Sequence, residues 1–314
     1  MNPLSALYGA GVAVRSMLFD RGVLSVHRLE RPVVSVGNLS TGGAGKTPFV
    51  IALGELLTER GIAFDVLSRG YGRKTRGVRV VDPDGSAAEF GDEPLLIAQK
   101  LGVPLIVGES RYAAGRTAEQ KFQTTLHLLD DGFQHRSLAR DFDIVLMNAA
   151  DFEDRLLPVG RLRETLSALR RADVIVMPEG ITSEQIEQHG KPLFRMTRSL
   201  SLNGVPKSPL AFCGLARPEQ FFSHLREHGI TPAAEVTFRD HHPYGASDIQ
   251  RLRAMRTQLG AGGFVTTEKD AVNLGRLRAS LEPLGVAGLK LTIGHSGELV
   301  DTILARIAVR KPGS

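Results

Sequence analysis

The sequence predicts an α/β fold: a parallel sheet with helices on both faces, a second and smaller α/β unit, and a cleft between them. Three observations predict it. Short apolar, β-branched runs alternate with segments whose apolar residues recur at helical spacing, the pattern of a sheet covered on both sides. The first run, Pro32-Val33-Val34-Ser35-Val36, leads into the glycine-rich stretch Thr41-Gly42-Gly43-Ala44-Gly45-Lys46-Thr47-Pro48. The chain then turns polar and rich in Gly and Pro over 179–207 before the alternation resumes.

In chain order, the N-terminal region 1–28 carries Leu4, Leu7, Tyr8, Gly11, Val14 and Leu18 at helical spacing, with Arg15, Arg21, Arg28 and Arg31 close behind. The apolar stretch is interrupted at Arg15 and is too short to span a bilayer. It also lacks the positive start and cleavage site of a signal peptide. Two readings stay open: an amphipathic helix in a membrane interface, its arginines meeting anionic headgroups, or a helix packed on the protein itself. The first α/β unit is assigned to 29–198, with strands over 64–67, 105–107, 125–129, 144–147 and 174–177 and helices over 93–101, 112–122 and 162–171. Residues 78–81 read as a short hairpin strand, and 193–197 as an extended piece of the linker. The second unit, 199–314, is assigned strands over 211–213, 234–238, 264–267 and 289–293 and helices over 218–228, 246–259 and 297–309.

Composition narrows the function. Of 314 residues, 42% are hydrophobic but only 6% aromatic, with no Trp, so the core is expected to be aliphatic. The single cysteine, Cys213, excludes an intrachain disulfide or a cysteine-rich zinc site and fits a reducing compartment. A net charge of +5 admits nucleic acid, an anionic membrane surface or a phosphorylated ligand. No nucleic-acid signature accompanies it, so no nucleic-acid partner is expected.

Strand, glycine-rich loop, Gly-Lys-Thr and helix is the setting of a phosphate-binding loop, as in P-loop NTPases. Backbone N–H groups and the helix N-terminus wrap a polyphosphate. Lys46 is placed to reach the β/γ-phosphates and Thr47 to offer its hydroxyl to Mg²⁺. Ser40 stands where the usual first glycine of the pattern falls. The alternative is a glycine-rich turn that only caps a helix. Asp130-Asp131 end an apolar strand, as the Mg²⁺-binding half of a nucleotide site does; Asp-Asp-Gly is also simply a good turn. Gln134 and His135 follow.

Asp92, in Gly91-Asp92-Glu93-Pro94, is either a helix N-cap or a base that orients an acceptor hydroxyl. Spacing alone does not choose. Arg69, Arg73, Arg111 and Arg163 are candidates for neutralising phosphate, since the arginine fork binds two oxygens at once. Among them the plain alternative is solvated surface charge. In Phe238-Arg239-Asp240-His241-His242-Pro243-Tyr244 the paired histidines are candidate metal ligands without an evident third partner, or one of them tunes a carboxylate across the cleft. Thr266-Thr267-Glu268-Lys269-Asp270 is either a ligand-facing loop or a helix cap.

Together these segments resemble the tetraacyldisaccharide 4′-kinases, the lipid A 4′-kinases of Gram-negative bacteria. The likeness runs through Gly37-Asn38, the phosphate loop, Ser68 to Arg73, Gly91 to Pro94, Asp130-Asp131-Gly132-Phe133-Gln134-His135, Leu157 to Glu164, and the two clusters of the second unit. The resemblance implies transfer of the γ-phosphoryl group of ATP, with Mg²⁺, to the 4′-hydroxyl of an acylated glucosamine disaccharide 1-phosphate. It implies a peripheral or monotopic enzyme on the cytoplasmic face of the inner membrane, the N-terminal helix touching the bilayer, with no obligatory protein partner. Matched residue by residue, it implies Asp92 as base, His241 as its partner, Lys46 and Thr47 as phosphate and Mg²⁺ contacts, and Asp130 and Asp131 as the metal-site pair. Arg111, Arg163 and Glu164 match polar residues lining the site, and Arg69, Arg73 and Gln134 join them as substrate or phosphate candidates. Ala44 stands where many members have Thr, and Thr165 where many have Pro. The competing reading from the residues alone is a P-loop ATPase switch or assembly protein; a catalytically silent basic membrane module ranks behind it.

Overall fold

A computed structural model describes residues 3–42, 45–181 and 189–309. Helix α1 (Pro3–Asp20) precedes β1 (Val33–Asn38), α2 (Lys46–Glu59), β2 (Phe64–Ser68), β3 (Arg79–Val80), α3 (Ala87–Phe90), α4 (Asp92–Leu101), β4 (Leu105–Val107), α5 (Arg111–Lys121), β5 (Leu126–Asp130), β6 (Phe142–Leu146) and β7 (Val174–Pro178). The chain continues through β8 (Leu193–Asn203), β9 (Leu210–Cys213), α6 (Pro218–Glu227), β10 (Ala234–Thr237), α7 (Ala246–Leu259), β11 (Phe264–Thr267), α8 (Glu268–Leu274), β12 (Leu284–Ile293) and α9 (Ser296–Ala308).

All described strands join one 12-stranded sheet of order β10-β9-β11-β12-β8-β7-β6-β1-β5-β2-β4-β3. Pairing is parallel except where β12 meets β8 and β3 meets β4. The central strand β1 is buried along its whole length, which explains its valine-rich sequence. Its alternate residues feed opposite faces. Val34 and Val36 pack with Leu53 of α2, Leu95 of α4 and Ile303 of α9. Val33 packs with Ala114 and Ala118 of α5. The second half repeats the plan, with Phe221 and Leu225 of α6 on one face and Ile249 and Leu252 of α7 on the other.

Two expectations change. The helix over 162–171 is only a 3₁₀ segment, Leu166–Arg171. The backbone just before it is committed elsewhere: Arg163 N–H donates to Leu39 O at 2.7 Å, and Arg161 O accepts from Thr41 N–H at 2.8 Å. Those groups strap the segment to the chain entering the phosphate loop and are lost to a helical ladder. The region read as a linker contributes β8, which pairs with β7 on one side and β12 on the other. The two α/β halves therefore share one sheet, and the position between 198 and 199 lies inside a strand.

Helix α1 has no buried residue. It docks through polar groups: Ser5 Oγ donates to Leu156 O (2.9 Å), Tyr8 Oη to Arg163 O (3.1 Å), and Arg136 holds Ser16 and Asp20. Leu4, Leu7 and Val14 stay exposed, Leu7 at 73%. No described helix is long and apolar enough to cross a membrane.

Gly37 sets the close approach of the Asp130–His135 turn to β1. A Cβ there falls 2.5 Å from Phe133 Cβ and 2.9 Å from Phe133 N, while Phe133 is fully buried. Gly37→Ala is expected to cost about 1–3 kcal/mol, the range for overpacking a well-filled core. Thermal and denaturant unfolding measure it directly.

Candidate active site

The site forms where β1, β2 and β5 end. At the exit of β1, Asn38 Nδ2 donates to Ser40 O at 2.8 Å, shaping the entry to the phosphate loop. Gly42 and Gly45 adopt positive φ (73° and 80°), the conformation that glycine takes at least cost. Gly43 and Ala44 lie outside the described residues. Lys46 and Thr47 open α2. Pro48 follows in its first turn, where a backbone donor is not needed.

Lys46 Nζ donates to Asn38 Oδ1 at 3.0 Å and lies 3.5 Å from Asp131 Oδ1. Arg163 Nη1 donates to both Asp131 oxygens (3.1 and 3.0 Å) and to Gln134 Oε1 (3.3 Å). Gln134 Nε2 closes the network on Asn38 O at 2.9 Å. Burial works to raise Asp131, but Lys46 and Arg163 prevail and hold it below the ordinary carboxylate range.

Asp130 stands in contrast. It is buried, accepts from Ser68 Oγ at 3.0 Å, and is pushed up to about 7 by burial and by the charges of Glu93 and Asp131. Adjacent carboxylates thus differ: cations outweigh burial at one, and burial outweighs the Lys46 charge at the other.

Ser68 leads through Arg69 and Gly70 to Tyr71, which brings the second cluster alongside. A Cβ on Gly91 falls 2.8 Å from Tyr71 O, so this loop packs directly on the start of α4. Asp92, the first residue of α4, is only 4% exposed. Its Oδ1 accepts from Glu93 N–H at 2.9 Å. Its Oδ2 meets His241 Nδ1 at 2.8 Å and accepts from Asn273 Nδ2 at 3.3 Å. Lys269 Nζ is 3.7 Å from the same oxygen. Burial acts to raise Asp92, yet the His241 hydrogen bond and the Lys269 charge hold it below its ordinary value. His241 is raised in return, chiefly by that hydrogen bond, and sits at φ 55°. Backbone strain of this kind costs about 1–3 kcal/mol and persists only where the surroundings impose it.

A family model described as "Tetraacyldisaccharide-1-P 4'-kinase" matches residues 1–308. The chain belongs to the tetraacyldisaccharide 4′-kinase family. A member from Koribacter versatilis is 50% identical over the full length of both chains, and one from Geobacter metallireducens is 40% identical over 92% of each. The crystal structure of LpxK from Aquifex aeolicus in complex with ATP is similar at a TM-score of 0.80 and 34% identity, covering 97% of this chain and 98% of that one.

On this kinase, the predicted site residues form two bonded networks, with the others beside or outside them. Lys46, Asp131, Gln134 and Arg163 form one bonded network, and Asp92 and His241 another. Arg111 lies close enough to feel the charges of the acidic pair and of Arg69. Arg111 is buried at the start of α5 and pushed down to about 10 by burial and by Arg69, with Asp130 and Asp131 acting against that fall. Arg73 and Glu164 are occupied outside these networks. Arg73 Nη2 donates to Glu109 Oε1 and Gly77 O, both at 2.7 Å, and Glu164 accepts from Arg171 Nη2 at 2.7 Å. Thr41 is fixed by its backbone bond to Arg161 O.

The adjacent histidines do not act together. His242 turns away to Asp248 (2.9 Å) and stacks on Phe238. His135 meets Ser137 Oγ at 3.2 Å. Thr267 does cap α8, accepting from Asp270 N–H at 3.1 Å, and the same helix presents Lys269 and Asn273 to Asp92.

Spacing missed Arg198. It reaches the phosphate loop from β8, where a Cβ on Gly45 would lie 2.8 Å from Arg198 Nη2. Only the pairing of β8 with β7 reveals this approach. The bond from Asn38 to Lys46 was likewise invisible; a polar residue at the end of an apolar strand before such a loop is its only sequence signal.

Proposed function

We propose that this chain transfers the γ-phosphoryl group of ATP to the 4′-hydroxyl of tetraacyldisaccharide 1-phosphate, with Asp92 as general base. The observation that carries this is the contact of the buried Asp92 with His241, made between the two halves of the chain and joined to the phosphate-loop cluster through Ser68 and Tyr71. Residues Thr41 to Pro48 cradle the β/γ-phosphates, with Lys46 directed at them. Asp92 accepts the hydroxyl proton as the new O–P bond forms and ADP leaves. Arg69, Arg111 and Arg163 supply positive charge around the transferring group.

Among the described residues, no group of three or more His, Cys, Asp or Glu side chains could hold a metal ion. Mg²⁺ does not require one, because one or two carboxylates and the substrate phosphates commonly suffice. The buried Asp130, raised by its burial, fits that role, and we assign Thr47 at the start of α2 and Asp131 next to it in sequence as its partners. When bound there, Mg²⁺ neutralises charge developing on the phosphates.

We also place the enzyme on the cytoplasmic face of the inner membrane, with α1 against the lipid. Leu4, Leu7, Val14 and Met17 are exposed on α1, which otherwise holds the body by polar contacts. Leu7→Glu is expected to lower binding to anionic vesicles by about tenfold or more, since burying one Leu contributes about 1.5–3 kcal/mol. Cosedimentation measures this. Unchanged vesicle binding would place α1 away from the lipid.

Acceptor dependence tests the function as a whole. ADP release is expected to rise steeply on adding detergent-dispersed tetraacyldisaccharide 1-phosphate. Equal release with and without it would favour an ATPase switch.

A further inference from the structure

We propose that Lys269 is a positioning residue of the phosphoryl-transfer site, fixing the tautomer and proton affinity of the Asp92–His241 pair. This rests on the reading of Asp92 as general base. Lys269 Nζ lies 3.1 Å from His241 Nε2, 3.4 Å from Asp240 Oδ1, 3.7 Å from Asp92 Oδ2 and 3.9 Å from Glu93 Oε1. Among the described residues, Lys269 is the sole Lys or Arg within 4.0 Å of any of these three carboxylates.

An ammonium group has donors and no acceptor. At 3.1 Å it bonds to Nε2 only when that nitrogen is unprotonated. Nδ1 then carries the hydrogen and donates it to Asp92 Oδ2, leaving Asp92 ionised and purely an acceptor. A second proton on His241 would set N–H against an ammonium group, so the pair can take one up only by displacing Lys269. Lys269 therefore lowers the pair's proton affinity and keeps the base available at lower pH. It opposes the rise of His241 and helps to hold Asp92 down.

The other groups facing the pair do not substitute for it. Glu93 from α4 and Asp240 from the His241 loop are anionic, Asn273 from α8 is neutral, and Tyr71 presents its ring to His241 at 5.6 Å. One buried carboxylate also fixes the spacing. Asp270, next to Lys269, accepts from Tyr244 Oη of the His241 loop and from Gly214 N–H, each at 2.9 Å. The lysine's helix and the histidine's loop are thus pinned to a common point.

The test compares pH profiles of kcat/KM for wild type, Lys269→Met and Lys269→Arg, alongside Asp92→Asn. Loss of the cation should move the acid limb of Lys269→Met upward by about one pH unit, the scale set by an opposite charge at this distance. The KM for ATP should stay unchanged, and Lys269→Arg should restore the limb most of the way. A limb that stays in place while kcat falls equally at every pH overturns the proposal. If that happens and Asp92→Asn is inactive, Lys269 alone has been misassigned. If Asp92→Asn is fully active, the base assignment has failed. Should Lys269→Met not fold, nitrogen NMR of histidine-labelled wild type decides, with His241 assigned through His241→Asn. Protonated Nδ1 with bare Nε2 is expected; the opposite tautomer overturns the proposal.

Discussion

Asp92→Asn is expected to lower kcat by about 10²–10⁴-fold, the contribution of a positioned general base. The change is nearly isosteric, and Asn keeps an oxygen for the Glu93 N–H, which Asp92 Oδ1 accepts at 2.9 Å. The start of α4 should therefore survive. What disappears is proton affinity: a carboxamide cannot receive the acceptor hydroxyl's proton. Nucleotide binding should be spared, because the phosphate loop and the Lys46–Asp131–Arg163 network contact other residues. Steady-state kinetics with ATP and lipid acceptor varied separately, plus calorimetric ATP titration, give the result. Near-normal kcat would remove Asp92 from the role of base.

Lys46→Ala is expected to fail differently. In the proposed mechanism its ammonium is the positive charge directed at the phosphates, and deleting one such preorganised contact costs about 10²–10³-fold in rate. The substitution also removes one of the cations that neutralise Asp131, leaving its Arg163 hydrogen bonds, and removes the donor to Asn38 Oδ1. Both ATP affinity and kcat/KM should drop. Lys46→Arg is not expected to rescue, because a planar fork does not replace a compact ammonium at the end of a short helix-borne reach. The contrast between an Asp92 variant that binds ATP and a Lys46 variant that binds it poorly separates the two clusters. Unaltered affinity and rate in Lys46→Ala would contradict the loop assignment.

Much of this architecture was legible because it is local. The runs that became β4 and β11 stand out by apolar, β-branched content, and the matching structural strands are Leu105–Val107 and Phe264–Thr267. The strand–loop–helix setting of Lys46 was equally plain. Long-range pairing was harder to see. The 193–203 segment alternates apolar and polar residues amid turn formers, and only its partners show it to be the strand that unites the sheet. Residues 162–163 looked helical by pattern, but Leu162 N–H is claimed by Arg155 O and Arg163 N–H by Leu39 O. The Asp92–His241 contact spans 149 positions, and no spacing rule couples residues that far apart; family resemblance suggested it. Lys269 was visible as a charge near a helix cap, but its bearing on His241 depends on the packing of α8 against α4.

The most direct measurement follows labelled γ-phosphate from ATP/Mg²⁺ into detergent-dispersed tetraacyldisaccharide 1-phosphate, using wild type and Asp92→Asn. A lipid labelled at the 4′ position with wild type, and lost with the variant, is the expected result. Release of inorganic phosphate alone, with no labelled lipid in any detergent, would contradict it.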